Sequence, residues 1–220
     1  MSAFTSNVLV VDRLNAYYGA AQALFELSFT VQAGQALVLQ GANGAGKSTC
    51  LKAIMGLVSR RAAALRVQNI DTLALSIEAI SNLGVGYVPE NRRIFTRLTV
   101  QENLAVAARA VPMRNGVWSE ASVLEALPHL KTVLKRSGDA ISGGEQRMVA
   151  VARALMRNPS VLLLDEPCEG VAPKVADAIE TALRLAQQHG AAILLSESHD
   201  GFAQRLGAKV LAVHAGVGRS

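Results

Sequence analysis

Three features of the 220-residue chain predict an α/β fold built on a parallel sheet. The first is Gly41-Ala42-Asn43-Gly44-Ala45-Gly46-Lys47-Ser48-Thr49, which matches the phosphate-binding loop pattern of Gly, four residues, then Gly-Lys-Ser/Thr. The second is what flanks it: an apolar run at 36–39 that reads as a buried strand, and a helical pattern from Thr49 to Met55. The third is a pair of unbroken apolar runs, 161–164 and 192–195, of the kind found in strands covered on both faces.

The loop residues carry a definite chemistry. Without a Cβ, Gly41, Gly44 and Gly46 let backbone N–H groups turn inward and approach phosphate oxygens closely. Asn43, Ala45 and Thr49 complete the candidate binding set. Lys47 sets a cation against the outer phosphates, and the Ser48 hydroxyl takes one position on Mg²⁺. The helix that follows offers a partly positive N-terminus.

The remaining elements follow in chain order. Residues 8–11 read as a short strand and 23–31 as a longer one, with a turn at Ala33-Gly34 and with Tyr17-Tyr18-Gly19 between the strands. A Tyr just upstream of a phosphate loop can stack on a purine or pack in a core. The helix after the loop ends near Gly56. Arg60-Arg61 reads as a solvated pair, 64–67 as an edge strand, Asn69 as a turn residue, 73–80 as a helix and 84–88 as a strand. Pro89-Glu90-Asn91-Arg92-Arg93 is a polar loop. Thr99 and Glu102 have capping-box spacing at the start of a helix that Pro112 ends. Two short polar helices, 120–127 and 130–136, extend a helical insert.

Ser142-Gly143-Gly144-Glu145-Gln146 opens the next helix. Ser142 and Glu145 alone fit an ordinary capping box; the double glycine adds a second bare helix N-terminus able to accept phosphate. The strand at 161–164 ends in Asp165-Glu166. Two carboxylates at the tip of a buried strand are unfavourable unless they meet a cation. Asp165 suits Mg²⁺, and Glu166 is then free to polarise an attacking water. A helix at 174–189, a strand at 192–195, the segment Ser196-Glu197-Ser198-His199-Asp200, a helix at 202–206 and a strand at 209–213 complete the chain.

Composition narrows the class. Half the residues are apolar, enough for one substantial core. A net charge of +5 permits anionic partners without choosing among them. Aromatics make up 4% and no basic run alternates with them, which disfavours nucleic acid. The two cysteines, Cys50 and Cys168, form no framework and are expected as reduced thiols. No signal peptide or membrane-spanning run is expected, so work at a membrane must pass through a partner.

The order of these motifs, Tyr18, the 41–49 loop, Val88-Pro89-Glu90, Ser142-Gly143-Gly144-Glu145-Gln146, Leu164-Asp165-Glu166-Pro167 and His199-Asp200, resembles the ATP-binding cassette (ABC) ATPase family over nearly the whole chain. Within it, Tyr87 to Phe95, Thr99 to Leu104 and Gly170-Val171-Ala172-Pro173 look like the ATPase subunits of branched-chain amino-acid importers. The resemblance implies a single P-loop NTPase domain of ABC type over 1–220. It would have a parallel-sheet core, an antiparallel β edge and a helical subdomain at about 92–157. It also implies ATP and Mg²⁺ as ligands and a head-to-tail pair of cassettes, identical or related. Each ATP would lie between Lys47 of one copy and Ser142, Gly143, Gly144 and Glu145 of the other, with Tyr18 on the adenine. Glu166, Lys47 and His199 would be catalytic; Ser48, Asp165 and Glu90 would face the metal. Two membrane permease subunits and, indirectly, a periplasmic solute-binding protein would complete an importer on the cytoplasmic face of the inner membrane. The solute is not named by any residue: branched-chain amino acids, urea and short amides all occur among such proteins. A weakly hydrolysing regulatory module is the alternative.

Three departures stand out. Glu90 replaces a common Gln. A gapless match puts Ser198, not His199, at the switch position, leaving both open. Residues 60–64 lack the usual Pro and Gly, and Cys168-Glu169 replaces a small polar residue and a hydrophobe.

Overall fold

A computed structural model describes residues 7–109, 117–198 and 201–219. Pro112, His199 and Asp200 lie outside the described residues. The described chain runs β1 (Asn7–Tyr18), β2 (Ala21–Gln32), β3 (Ala36–Gln40), α1 (Lys47–Met55), β4 (Ser59–Arg61), β5 (Ala64–Val67), β6 (Ile70–Asp71), α2 (Ile77–Asn82) and β7 (Val85–Val88). It continues through α3 (Val100–Arg109), α4 (Glu120–Ala126), α5 (Leu130–Val133), α6 (Gly143–Leu155), β8 (Val161–Asp165), α7 (Pro173–Gln188), β9 (Ala192–Glu197), α8 (Phe202–Arg205), β10 (Lys209–His214) and β11 (Val217–Arg219).

The central sheet has the order β11-β10-β3-β9-β8-β7. Its pairings from β10 to β7 are parallel, and β11 is antiparallel to β10. Because side chains alternate along a strand, each central strand feeds two cores. Leu162 and Leu164 of β8, with Ile193 and Leu195 of β9, pack toward α3–α7. Val161 and Leu163, with Leu194, pack toward α1 and the second sheet. This division explains why those strands read as unbroken apolar runs. The second sheet, of order β2-β1-β5-β6 with β4 also on β1, is antiparallel throughout.

Several local expectations change. The first strand spans twelve residues, not four. Its pairing with β2 slips at several points, and Arg13 and Glu26 both sit at φ 49°. These bulges break the alternation that would mark a long strand. The 64–67 strand is not an edge, since β6 pairs beyond it. The helix expected at 73–80 begins only at Ile77. Leu73 N–H donates to Asp71 Oδ1 at 2.8 Å and Leu75 N–H to Thr72 O at 3.2 Å, a turn that ends where Ser76 caps α2.

Arg60 is not a solvated residue. Its guanidinium donates to Ala53 O, to Ile54 O at 3.0 Å and to Thr72 O at 2.6 Å, closing the C-terminal end of α1. The free carbonyls there carry partial negative charge and favour a cation. Arg61 stays exposed. Thr99 and Glu102 do cap α3: Thr99 N–H donates to Glu102 Oε2 at 2.7 Å, and Glu102 N–H to Thr99 Oγ1 at 3.2 Å.

Candidate functional site

Ligands of open parallel sheets gather beyond the carboxyl ends of the strands, and three ends meet here. β3 leads into Gly41, β8 into Glu166 and β9 into Ser198. The register sets Leu39 and Asp165 beside Ser196, and Gln40 beside Glu197. Residues more than 100 positions apart thereby reach one level.

The loop between β3 and α1 is tightly shaped. Gly46 has φ 107°, and a Cβ there would stand 2.8 Å from Leu24 Cδ2; one on Gly41 would stand 2.2 Å from the Val213 carbonyl oxygen. Both positions exclude a side chain. Lys47, at the first turn of α1, folds back and donates to Gly41 O at 2.7 Å and Ala42 O at 3.2 Å. It also donates to Ser198 Oγ at 3.0 Å and pairs with Glu166 Oε1 at 3.2 Å. Ser198 Oγ lies 2.6 Å from Glu166 Oε1 and 2.9 Å from Asn43 Oδ1; its single proton serves one of them at a time.

Glu166 sits just past β8 at φ 46°, a conformation that non-glycine residues hold only when their surroundings fix it. Its N–H donates to Ser196 Oγ at 3.0 Å. Burial opposes ionisation of its carboxyl, but hydrogen bonding with Glu169, Ser198 and Lys47 and the Lys47 charge outweigh this and hold it below the usual carboxylate range. Asp165 accepts from both Ser48 Oγ and Ser196 Oγ at 2.7 Å. Asn43, Gly44, Gly46, Lys47, Ser48, Thr49, Glu90, Glu166 and Glu169 line an open cleft of about 340 Å³. Neither Ser196 nor Glu169 is assigned to the site by the sequence pattern, although the hydroxyl that interrupts the apolar run of β9 marks Ser196.

The oxygen donors fit Mg²⁺. Ser48 Oγ and Asp165 Oδ1, 2.7 Å apart, are near the roughly 3 Å edge of an octahedron with 2.1 Å bonds. No group of three or more His, Cys, Asp or Glu side chains suited to a metal occurs among the described residues. Bound phosphate and water would therefore have to supply the remaining ligands, which is the usual habit of Mg²⁺.

Tyr18 is 48% exposed, so its ring is available for stacking. Its hydroxyl is 3.4 Å from Thr49 Oγ1. The ring lines a neighbouring cleft that also touches Glu90 and Asp165. Ser142, Gly143, Gly144 and Glu145 do not line the cleft of Lys47 and Glu166. Nor is the start of α6 bare. Ser142 N–H donates to Glu145 Oε2 at 2.7 Å, Glu145 N–H donates to Ser142 Oγ at 3.3 Å, and His129 Nε2 reaches Glu145 Oε1 at 2.8 Å. The capping box leaves the Gly143 and Gly144 amides outside it, so the capping and anion-binding readings of this turn are compatible.

Glu197, at the end of β9, is 8% exposed, and its Oε1 has no hydrogen-bond partner among the described residues. Burial pushes its carboxyl up to about 7; Glu166 and Glu169 push the same way, against Lys47 and Arg205. The unfolded chain ionises this group near pH 4.5, while the folded chain keeps the proton to about pH 7. Stability therefore falls as pH rises through that window and levels off above it. Glu197→Gln keeps the shape and removes the titration. It is expected to raise stability by up to about 3 kcal/mol at pH 8 and by little at pH 4, as read from urea unfolding at both values.

A second cleft, of about 400 Å³, lies between the 89–95 loop, α2 and α6. It is lined by Leu57, Ile77, Phe95 and Val106 together with Arg92, Arg93, Arg153 and Arg157. No described helix is long and apolar enough to cross a membrane.

Comparisons with known proteins bear on the family and fold of the chain as a whole. The sequence profile of the ABC transporter family matches residues 24–169. The chain is 37% identical over 199 residues to the high-affinity branched-chain amino acid transport ATP-binding protein BraG of Pseudomonas aeruginosa, covering 90% of this chain and 85% of that one. It is 31% identical to the lipopolysaccharide export system ATP-binding protein LptB of Escherichia coli K12, over 86% of this chain and 79% of that one. A solved structure described as the ATP-binding subunit of an ABC transporter superposes with a TM-score of 0.83 at 30% identity, covering 97% of this chain and 88% of that one.

Proposed function

The chain belongs to the ABC transporter family as an ATP-binding, ATP-hydrolysing cassette, and we propose that it powers the import of a small solute, a branched-chain amino acid first, through membrane permeases. One observation supports the chemistry most directly: Lys47, Ser48 and Glu166 line one open cleft, with Ser198 hydrogen-bonded to Lys47 and Glu166 and Asp165 to Ser48. The likeness to BraG supports the choice of solute. The likeness to LptB favours a second reading, a cassette serving export.

In this reading Lys47 holds the outer phosphates of ATP, and the phosphate loop amides hold the rest. Ser48, Asp165 and Glu90 would hold Mg²⁺, which when bound neutralises charge on the phosphate oxygens. Glu166 orients and deprotonates the attacking water. Its low-lying carboxyl is ionised at neutral pH and so ready to accept a proton. Ser198 fixes Glu166 and Lys47 relative to each other. Tyr18 supplies a stacking face for adenine.

Ser142, Gly143, Gly144 and Glu145 serve a second copy or a related cassette. They lie off the cleft of their own chain, yet the first-turn amides of α6 suit an anion. The helical stretch at about 92–157 is read as a subdomain inserted in the α/β core of a single domain. The arginine-rich, apolar cleft beside the 89–95 loop is where a permease would dock, placing the chain peripherally on the cytoplasmic face of the membrane. A periplasmic binding protein would take part only through the permease. His199, the residue after Ser198 in sequence, would be a further catalytic residue of this site.

Reconstitution tests the solute. The chain is assembled in liposomes with a branched-chain permease pair and its binding protein, and uptake of labelled leucine is measured. ATP-dependent leucine uptake is the expected result. ATPase activity without uptake of leucine, urea or acetamide would move the chain to the export reading.

A further inference from the structure

Helix α6 grips the 89–95 loop at three points. Arg153 Nη1 donates to Arg93 O at 2.8 Å, with its guanidinium 4.4 Å over the Phe95 ring. Arg92 Nη1 donates to Gln146 Oε1 at 3.2 Å. Arg147 Nη1 donates to Pro89 O at 3.4 Å, a long bond. Between these anchors Arg92 and Arg93 take φ of 63° and 48°, consecutive left-handed residues that persist only when held.

Arg147 is the buried one of the three arginines, at 3% exposed; its Nε, like that of Arg153, has no hydrogen-bond partner among the described residues. Burial and the neighbouring Arg92 charge disfavour its cation, while the carboxylates of Glu90 and Asp165 favour it; the Cys168 thiol beside it is pushed up to about 12 by burial and stays neutral. A buried guanidinium held by one long bond is ill satisfied. It nonetheless sits where the helix opened by Ser142 meets the residue before Glu90, and Glu90 lines the phosphate cleft.

We propose that Arg147 is a positioning residue: holding Pro89 from α6, it sets where the Glu90 carboxylate stands over the phosphate cleft, and so ties the Ser142 turn to the metal side of its own site. The inference rests on the reading of Glu90 as a group facing Mg²⁺. It assigns Arg147 no contact with nucleotide. Its effect passes through Pro89 and is lost where Glu90 no longer carries its charge.

Arg147→Gln, Arg147→Lys, Glu90→Gln and the double variant Arg147→Gln/Glu90→Gln test it. In Arg147→Gln the Mg²⁺ concentration for half-maximal ATPase activity is expected to rise about 10-fold, as for loss of a group supporting a metal ligand, with KM for ATP little changed. Arg147→Lys recovers most of that loss. Without metal or nucleotide, amide hydrogen exchange in Arg147→Gln rises at residues 90–93 and not in β8. In the Glu90→Gln background the Arg147 substitution adds nothing further to the Mg²⁺ requirement. Independent, multiplying effects of the two substitutions would overturn the proposal, as would a general rise in exchange with unchanged Mg²⁺ dependence. If Glu90→Gln leaves the Mg²⁺ requirement unaltered, the reading of Glu90 itself falls, and the role of Arg147 with it. If Glu90→Gln shifts the requirement and Arg147→Gln does not, only the Arg147 inference fails.

Discussion

Glu166→Gln is expected to lower ATP turnover by about 10²–10⁴-fold while leaving ATP binding intact. The substitution removes the proton acceptor but keeps a side chain of the same size. Gln can still accept from Lys47 and Ser198 at the 3.2 and 2.6 Å positions now occupied by Glu166 Oε1. The left-handed backbone at φ 46° is untouched, and so is the bond from its N–H to Ser196. Binding and hydrolysis should therefore separate cleanly. With hydrolysis blocked, Mg²⁺-ATP should also accumulate the paired form, visible as a doubled solution mass for the chain alone or with a related cassette. Wild-type turnover in Glu166→Gln would remove Glu166 as the base. A variant that binds ATP but stays single in every mixture would remove the proposed role of Ser142 and Gly143.

How much of this could be read before folding depends on how local each signal is. The phosphate loop is a contiguous pattern with an obligatory backbone shape, and Gly41 and Gly46 tolerate no Cβ. The central strands were legible because burial on both faces leaves an unbroken apolar run. The 12-residue β1 was legible only in part, since its bulges disturb the alternation. Arg60 was misread because its partners are helix carbonyls and the Thr72 carbonyl, which composition does not reveal. Ser196 and Glu197 acquire their surroundings from strand register, which brings them beside Asp165 and Gln40. Ser142 and Glu145 illustrate the opposite case. The capping box was legible from four residues, yet what the neighbouring glycines bind depends on a second surface that no local pattern specifies.

Lys47→Met carries the second large effect, and it acts on binding rather than on the chemical step alone. Lys47 is 4% exposed, and its ammonium holds two loop carbonyls, Ser198 and Glu166 together. Charge-assisted contacts to an anion in such a site are worth about 2–4 kcal/mol, so nucleotide affinity should fall by about 30- to 1,000-fold. The change also leaves a buried carboxylate without its cation. Glu166 now titrates below its ordinary value, so the pair contributes stability above the unfolded carboxyl range, and that contribution is lost as pH falls through the folded value. In Lys47→Met burial dominates, and the Glu166 carboxyl moves up. The variant should then be less stable than wild type at pH 7, and the gap should close as pH is lowered and both proteins protonate the group. Calorimetric titration with ATP and unfolding curves at pH 4 and 7 check the two halves separately. Unchanged affinity would deny Lys47 its phosphate, whereas a stability gap independent of pH would mean that the Lys47–Glu166 pair holds the loop by shape and not by charge.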